Sequence, residues 1–291
     1  MLRTSKIVPF LFILPMLLLL IFGFGYPLIA IFNFSTRRIR GISGPFIGLE
    51  NYRQVFKDSV FREAVSHNLI LLLAVPVLVI VSILVAVVLY ERIRGWRLYR
   101  SIMFIPYILA VPVVGVVFSN ILQLNGILNE TLRRVGLDWL GLDWIGDPDL
   151  TLWSVMGVII WRELGFGIVL FLARLLSINE ELIDAGKVDG ANWWQRLWYV
   201  IVPQLRSVIE FYTVVSTITM LAWIFSYIYT MTRGGPGNAT QVIELYIFNF
   251  AFRNQLPGIA AAVAVLLFIV TIILIVPIFR LRSGSEMEEM A

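Results

Sequence analysis

Cysteine is absent from the chain and histidine occurs once, at His67. A disulfide framework, a thiol nucleophile and a cysteine metal site are thereby excluded, and a lone imidazole leaves no histidine pair to hold a metal. An intramembrane protease or lipid transferase would lack its nucleophile and base, or its metal. Charge is scarce as well. Only 14% of the 291 residues are Asp, Glu, Lys or Arg, against about 25% in ordinary soluble domains. No G-x-x-x-x-G-K-[ST] segment occurs, so the chain hydrolyses no ATP through a phosphate-binding loop of its own.

Apolar length is what the chain has in abundance. Hydrophobic residues make up 59% of it and the mean hydropathy is +0.87. Six stretches, 7–32, 68–90, 101–124, 151–173, 206–230 and 257–280, reach the length of about 20 residues that crosses a hydrocarbon core about 30 Å thick. Backbone groups in lipid must bond within their own segment, and these runs lack the alternation of a barrel strand. The prediction is an all-α polytopic membrane protein of six spans, a single domain over 1–291. The first run is too long for a signal-peptide core and no small-x-small site follows it, so it reads as a retained span. Pro9, Pro15, Pro27, Pro76, Pro106 and Pro112 lie in or near spans and read as kinks and helix starts.

The net charge of +4 sits at the ends of apolar runs, where it meets anionic headgroups and not nucleic acid. Arg92, Arg94, Arg97 and Arg100 crowd the second connection and place it in the cytoplasm, while the acidic loop 125–150 faces outside. Both termini then lie inside. The basic first loop, 33–67, departs from this bias and reads as a small external cap. The polar tail 283–291 is predicted to be disordered.

Between the fourth and fifth runs lies a polar segment, 177–203. Ser177-x-x-Glu180 has the form of a capping box, and Glu180, Glu181 and Asp184 suit the positive end of a helix. Ala185 and Gly186 are small enough for close approach of another backbone, and Gly190 can end the helix at positive φ. Trp193, Trp194, Leu197, Trp198 and Ile201 then recur at helical spacing, as in an amphipathic helix on the membrane surface, before Pro203 opens the fifth span. Two readings fit: a docking site for a water-soluble partner, or an ordinary loop with two interfacial helices.

Asp184-Ala185-Gly186, three residues, Gly190, nine residues and Val200-Ile201-Val202-Pro203 resemble the E-A-A-x₃-G-x₉-I-x-L-P loop of binding-protein-dependent ABC importer permeases. The spacing matches throughout. The departures are Asp184, Gly186, Val200 and Val202, which keep charge sign or apolar character. Phe46-Ile-Gly-Leu-Glu-Asn-Tyr52, Asp189-Gly-Ala-Asn-Trp-Trp-Gln195 and Thr232-Arg-Gly-Gly-Pro236 with Ala239-Thr240 are similar to motifs of the carbohydrate branch of that family. The resemblance implies the six-helix type I importer fold. It also implies a second, related permease around a common pore, two ATPase subunits carrying ATP and Mg, and an external solute-binding protein. Glu181, Asp184, Ala185, Gly186, Asp189, Gly190 and Pro203 would then couple the chain to an ATPase, and Gly234, Gly235 and Pro236 would meet the binding protein. A scaffold would have no use for such a coupling segment.

Ionisable residues inside a span are functional candidates by default. Arg162 and Glu163 lie in the fourth run; as neighbours they project about 100° apart on a helix, which predicts that they do not pair and that at least one faces a wet cavity or a partner. By position, Trp161, Arg162, Glu163 and Phe166 resemble the sugar-lining stretch of the family's maltose permeases, and Thr217, Leu221 and Ile224 of the fifth run fall at similar places. Tyr227 continues that face. The alternative is that the charged pair bonds structurally to the partner permease. The solute implied is a sugar, the other reading being a polyol-like solute such as glycerol phosphate with Arg162 on the phosphate.

Overall fold

The computed structural model describes residues 8–39 and 43–288. Every named element among them is a helix, and the residues sort into two units, 1–61 with 246–269 and 62–245 with 270–291.

In the first unit, α1 (Val8–Leu20) passes through a π-helical turn, Ile21–Gly25, into α2 (Tyr26–Ser35). Pro27 lacks the N–H that the preceding turn would use, and it lies just past the π-helical turn in a backbone that stays helical from Phe10 to Ser35. After α2 the chain doubles back through an isolated bridge between Arg37 and Phe46 and enters α3 (Glu50–Lys57). Gly48 makes the turn at φ +61°. Asn51, 4% exposed, donates to the carbonyls of Ser35 at 2.8 Å and Arg37 at 2.9 Å. The Tyr52 hydroxyl donates to Ser35 Oγ at 2.8 Å. The last carbonyls of a helix have no partner within it, and here Asn51 supplies one. The Phe46–Tyr52 motif thus closes the end of the first span. In the same unit the Tyr246 hydroxyl donates to Asp58 Oδ2 at 2.7 Å and its ring stacks on Phe250.

The second unit is built around α9 (Pro148–Leu175), the longest helix described within it. Asp147 caps α9, its side chain accepting from Asp149 N at 2.9 Å. α5 (Ala74–Tyr90) and α6 (Trp96–Ile108) pack along α9, and α13 (Arg206–Ala222) packs on α5. Close approach is possible because α9 presents small residues: a Cβ on Gly167 would stand 2.5 Å from Tyr212 Cζ. α4 (Ser59–Leu71) leads into α5. α7 (Val111–Ile121) follows α6, α11 (Trp193–Arg196) and α12 (Val202–Gln204) precede α13, and α14 (Phe225–Met231) follows it; α8 (Ile127–Arg134), α10 (Glu180–Val188) and α15 (Ile243–Phe248) lie in the connections, and α16 (Pro257–Glu288) is the final span.

Among the described residues, four helical stretches are long and apolar enough to cross a membrane, and six are counted if each of two bent pairs is one span. The third span is such a pair: α6 and α7 meet at 98°. Pro106 lies inside α6 and Pro112 in the first turn of α7, so the prolines mark the break. The fifth span is the other, with the 193–204 stretch meeting α13 at 76°. The run 206–230, expected as one helix, is interrupted at Trp223–Ile224 before α14. The tail also differs from expectation. The backbone of α16 stays helical to Glu288, because Glu and Met are good helix formers and continue a helix already nucleated; residues 289–291 of that tail lie outside the described residues.

Replacing Asn51 by Leu strands two carbonyls at a helix end, which costs about 1–3 kcal/mol for an unsatisfied buried group. The expected outcome is a lower thermal midpoint of the purified chain, measured by scanning fluorimetry in detergent, with Asn51→Asp failing to restore it because a carboxylate cannot donate.

Candidate functional site

The polar segment between α9 and α13 forms a closed knob. Its base is tied by Arg174 Nε, which donates to the Gln204 carbonyl at 3.1 Å. The cap of α10 is Asn179, whose side chain accepts from Glu181 N at 3.1 Å. This corrects the expected capping box at Ser177: the Ser177 hydroxyl instead donates to the Arg174 carbonyl at 2.7 Å, inside the last turn of α9. The side chain of Glu180 lies outside the described residues. At the other end Gly190 adopts φ +73°. Ala191 N donates to the Gly186 carbonyl at 3.0 Å and Gly190 N to that of Lys187 at 3.1 Å, the paired bonds of a Schellman stop.

α11 follows at once, with a true capping box of Asn192 and Gln195. The expected single apolar face divides in two. Leu197 and Ile201 are buried against the knob, whereas Trp194, Trp198 and Tyr199 point outward, as interfacial aromatics do. A π-helical turn, Leu197–Ile201, shifts the register between them. Pro203 sits in α12, ahead of the bend, and the span proper begins at Arg206. Trp193 Nε1 donates to Glu91 Oε1 at 2.9 Å, tying the knob to the loop after α5. Beside that bond lies a cleft of about 440 Å³ bordered by Glu91, Arg92, Asp184, Lys187 and Arg196.

Ile183 turns inward, and Gly186 faces the side chains of Arg196 and Val200. Glu181, Leu182, Asp184, Ala185, Val188 and Asp189 form the exposed side. Asp184 pairs with Lys187 at 2.7 Å in water. Val188 is 87% exposed, a β-branched apolar residue at the tip of a polar helix. Sequence reasoning passed over it, although Leu182, Ala185 and Val188 recur at three-residue spacing and mark one face.

Within the spans, Arg162 and Glu163 do pair, contrary to expectation. Arg162 Nη1 lies 2.6 Å from Glu163 Oε1, and the two side chains are 13% and 15% exposed. A guanidinium on a long stem folds back across the angle that separates neighbours on a helix, and burial makes the pairing worthwhile. Arg162 Nε also donates to the Leu109 carbonyl at 3.1 Å, and its guanidinium stands 5.0 Å from the Tyr107 ring centroid. The Tyr227 hydroxyl donates to Glu163 Oε1 at 3.0 Å, and Phe166 stacks on Tyr107. The structure therefore brings Arg162, Glu163, Phe166 and Tyr227 together. Thr217, Leu221 and Ile224 are buried within the chain, and the break after α13 interrupts their helical spacing with Tyr227. Trp161 remains 41% exposed, against Phe118, at the edge of a cleft of about 490 Å³ that Trp144, Trp153, Ser154 and Gly157 also border.

Gly234, Gly235 and Pro236 form a turn locked by threonines. Thr232 and Thr240 hydroxyls are 2.6 Å apart, and Thr240 Oγ1 donates to the Gly235 carbonyl at 2.9 Å. Gly234 has φ +92°, and a Cβ there would stand 2.8 Å from Gln241 Oε1. Glu244, on α15 and outside the spans, was not foreseen. Its Oε1 accepts from the backbone N–H groups of Ile224 (2.9 Å) and Phe225 (3.3 Å), where α14 begins, while Oε2 is buried without a hydrogen-bond partner. Burial pushes this carboxyl up to about 8, against the opposing pull of the backbone N–H groups. The reason it escaped notice is that its partners lie 19 and 20 positions earlier in the chain.

A family model described as "Binding-protein-dependent transport system inner membrane component" matches residues 44–283. Among curated relatives, the "Probable ABC transporter permease protein YurN" of Bacillus subtilis (strain 168) is 31% identical, over 98% of this chain and 100% of its own length. The "Lactose transport system permease protein LacF" of Rhizobium radiobacter is 28% identical over 95% of this chain and 93% of its own. The "sn-glycerol-3-phosphate transport system permease protein UgpA" of Agrobacterium fabrum is 29% identical over 95% and 94%. A solved structure of a bacterial alginate ABC transporter, in complex with alginate pentasaccharide-bound periplasmic protein, has a TM-score of 0.81 at 22% identity. The match covers 93% of this chain and 92% of that one.

A Cβ on Gly186 would rest 3.5 Å from Val200 and 3.6 Å from Arg196, ordinary contact distances. Gly186→Ala is therefore expected to fit and to stabilise the knob, by up to about 1 kcal/mol through helix propensity; hydrogen exchange over 180–190 should slow. Glu244 binds its proton more tightly folded than unfolded, so its contribution to stability declines as pH rises from about 4.5 to about 8. The thermal midpoint of the purified chain should fall between pH 6 and pH 8 more steeply (by about 1.4 kcal/mol of stability per pH unit at most) than that of Glu244→Gln.

Proposed function

Because the chain belongs to the family of binding-protein-dependent transport system inner membrane components, we propose that it builds half the pore of an ATP-driven sugar importer, with α10 as the helix through which a separate ATPase subunit moves it. The chain is an ABC importer permease of the inner membrane and not itself an enzyme. The proposal adds the coupling contact, the solute and the assembly. A second, related permease completes the pore, two ATPase subunits carry ATP and Mg on the cytoplasmic side, and a solute-binding protein docks outside against the Gly234-Gly235-Pro236 turn. Both termini lie in the cytoplasm.

One observation carries the coupling reading. α10 is closed at both ends by its own caps, pinned at its base, and yet leaves Leu182, Ala185 and Val188 uncovered by this chain. A rigid helix with an apolar tip and an acidic flank is suited to insertion into a cleft of a partner, as a lever must be. Three relatives bear on the solute. LacF is named for lactose and the solved neighbour for alginate, both carbohydrates, while UgpA is named for a phosphorylated polyol. The sugar reading is favoured by the engagement of Arg162, whose charge is met by Glu163 and whose Nε is held by Leu109. A phosphate would have to break that pair. Trp161 offers an exposed ring beside this cluster and is the candidate on which a sugar ring would stack.

Val188→Asp changes a side chain that is almost wholly exposed, so the fold is expected to stand while the apolar tip acquires a charge. In proteoliposomes of the assembled complex, ATP hydrolysis stimulated by the loaded binding protein should fall about tenfold or more, the loss of roughly 1.4 kcal/mol of docking. Unchanged stimulation would remove α10 from the coupling path.

A further inference from the structure

We propose that Arg162 is a positioning residue that holds the break in the third span, with Glu163 as its counter-charge and Tyr227 as a second anchor. At the break, Leu109 and Ala110 are extended, with ψ of 138° and 132°. The last carbonyls of α6 therefore look for donors that the following turn does not provide. A carbonyl left without a donor costs about as much as a lost hydrogen bond wherever water does not reach it. Arg162 Nε meets Leu109 O at 3.1 Å, and the same guanidinium lies over Tyr107 on α6. One side chain thus grips α6 twice. A cation at the C-terminal end of a helix also has the sign that the helix dipole favours.

The remaining connections run the other way. Glu163 Oε1 accepts from Arg162 at 2.6 Å and from the Tyr227 hydroxyl at 3.0 Å, and the Tyr212 hydroxyl donates to the Glu163 carbonyl at 3.2 Å. One bonded cluster joins α6, α9, α13 and α14. Beyond the break, α7 packs directly on α14: a Cβ on Gly115 would overlap the Thr230 hydroxyl. α7 is therefore placed from two sides, by the held break and by α14, itself anchored to the cluster through Tyr227. An apolar pair in place of Arg162 and Glu163 would fill the space but leave the Leu109 carbonyl without a donor. That is the physical reason for two charges at a depth where charge is costly. The inference rests on the permease reading only for its consequence, a pore-forming span kept in one bent shape.

This chain has no native cysteine, so introduced thiols are its only labelling sites, and the other subunits are prepared without reactive thiols. Labels at Ile102→Cys on α6 and Val116→Cys on α7, each 52% exposed, report the distance across the break. A control pair, Ile80→Cys on α5 and Trp153→Cys on α9, reports helices away from it. The full complex is measured in lipid nanodiscs by pulsed electron paramagnetic resonance. The parent should give one narrow distance. Arg162→Gln should broaden it about twofold, as local opening does, and Arg162→Lys, which keeps the cation and a donor, should restore the parent width. The proposal fails if Arg162→Gln keeps the parent width or if Arg162→Lys broadens as much. It fails equally if the control pair broadens as well, since Arg162 would then be a general folding residue. The distances need neither solute nor hydrolysis, so loss of coupling in the Val188→Asp complex would leave this result standing, and the reverse also holds.

Discussion

A backbone that bends inside a membrane exposes polar groups to a medium that cannot bond them, and the second unit depends on how those groups are met. The carbonyl of Leu109, at the end of α6, and the N–H groups of Ile224 and Phe225, where α14 begins, are bonded by side chains from other helices. The chain meets the first with a cation, Arg162, and the second with a carboxyl, Glu244, each from a different helix. Arg162 also has the sign that the dipole at the end of α6 favours, whereas Glu244, whose carboxyl burial pushes up to about 8, acts through its hydrogen bonds. Bent spans become tolerable because a distant side chain replaces the missing helical partner. α9, unbroken from Pro148 to Leu175, carries Arg162 and Glu163 and packs on both α6 and α14.

In the polar segment 177–203 the same backbone rule operates with local residues. Asn179, Gly190, Asn192 and Gln195 close two short helices within 177–203. Isolated helices of that length are marginal, so caps and the Arg174 and Trp193 ties supply the rigidity. In the proposed coupling role, that rigidity is what would let the segment pass on a displacement, and the outward residues are what a partner would meet.

Much of this was legible along the chain. Six apolar runs announced the spans, and the three- and nine-residue intervals from Asp184 to Pro203 announced the family. Gly190 was recognisable as a helix stop because only a residue tolerant of positive φ serves there. The two threonines around Gly234-Gly235-Pro236 were visible as a motif, although their role in closing the turn was not. The breaks were hidden: a hydropathy window averages across Leu109 and Trp223, and prolines signal a kink without its angle. The Arg162–Glu163 pair was misjudged because ideal projection angles ignore the reach of an arginine. Glu244 and Asn51 act on backbone groups far away in sequence, and no periodicity records that. The cap at Asn179 was misplaced by two residues because Ser177 offers the same chemistry and loses only through the geometry of the α9 terminus.

The central claim is that the tip of α10 faces the cytoplasm and is buried by an ATPase subunit. With no native thiol in the chain, Val188→Cys can be probed alone with a membrane-impermeant maleimide. The account predicts labelling in inside-out vesicles stripped of the ATPase, protection when the ATPase is added back, and no labelling from the external face. Labelling in right-side-out vesicles, or labelling undiminished by the ATPase, would contradict it.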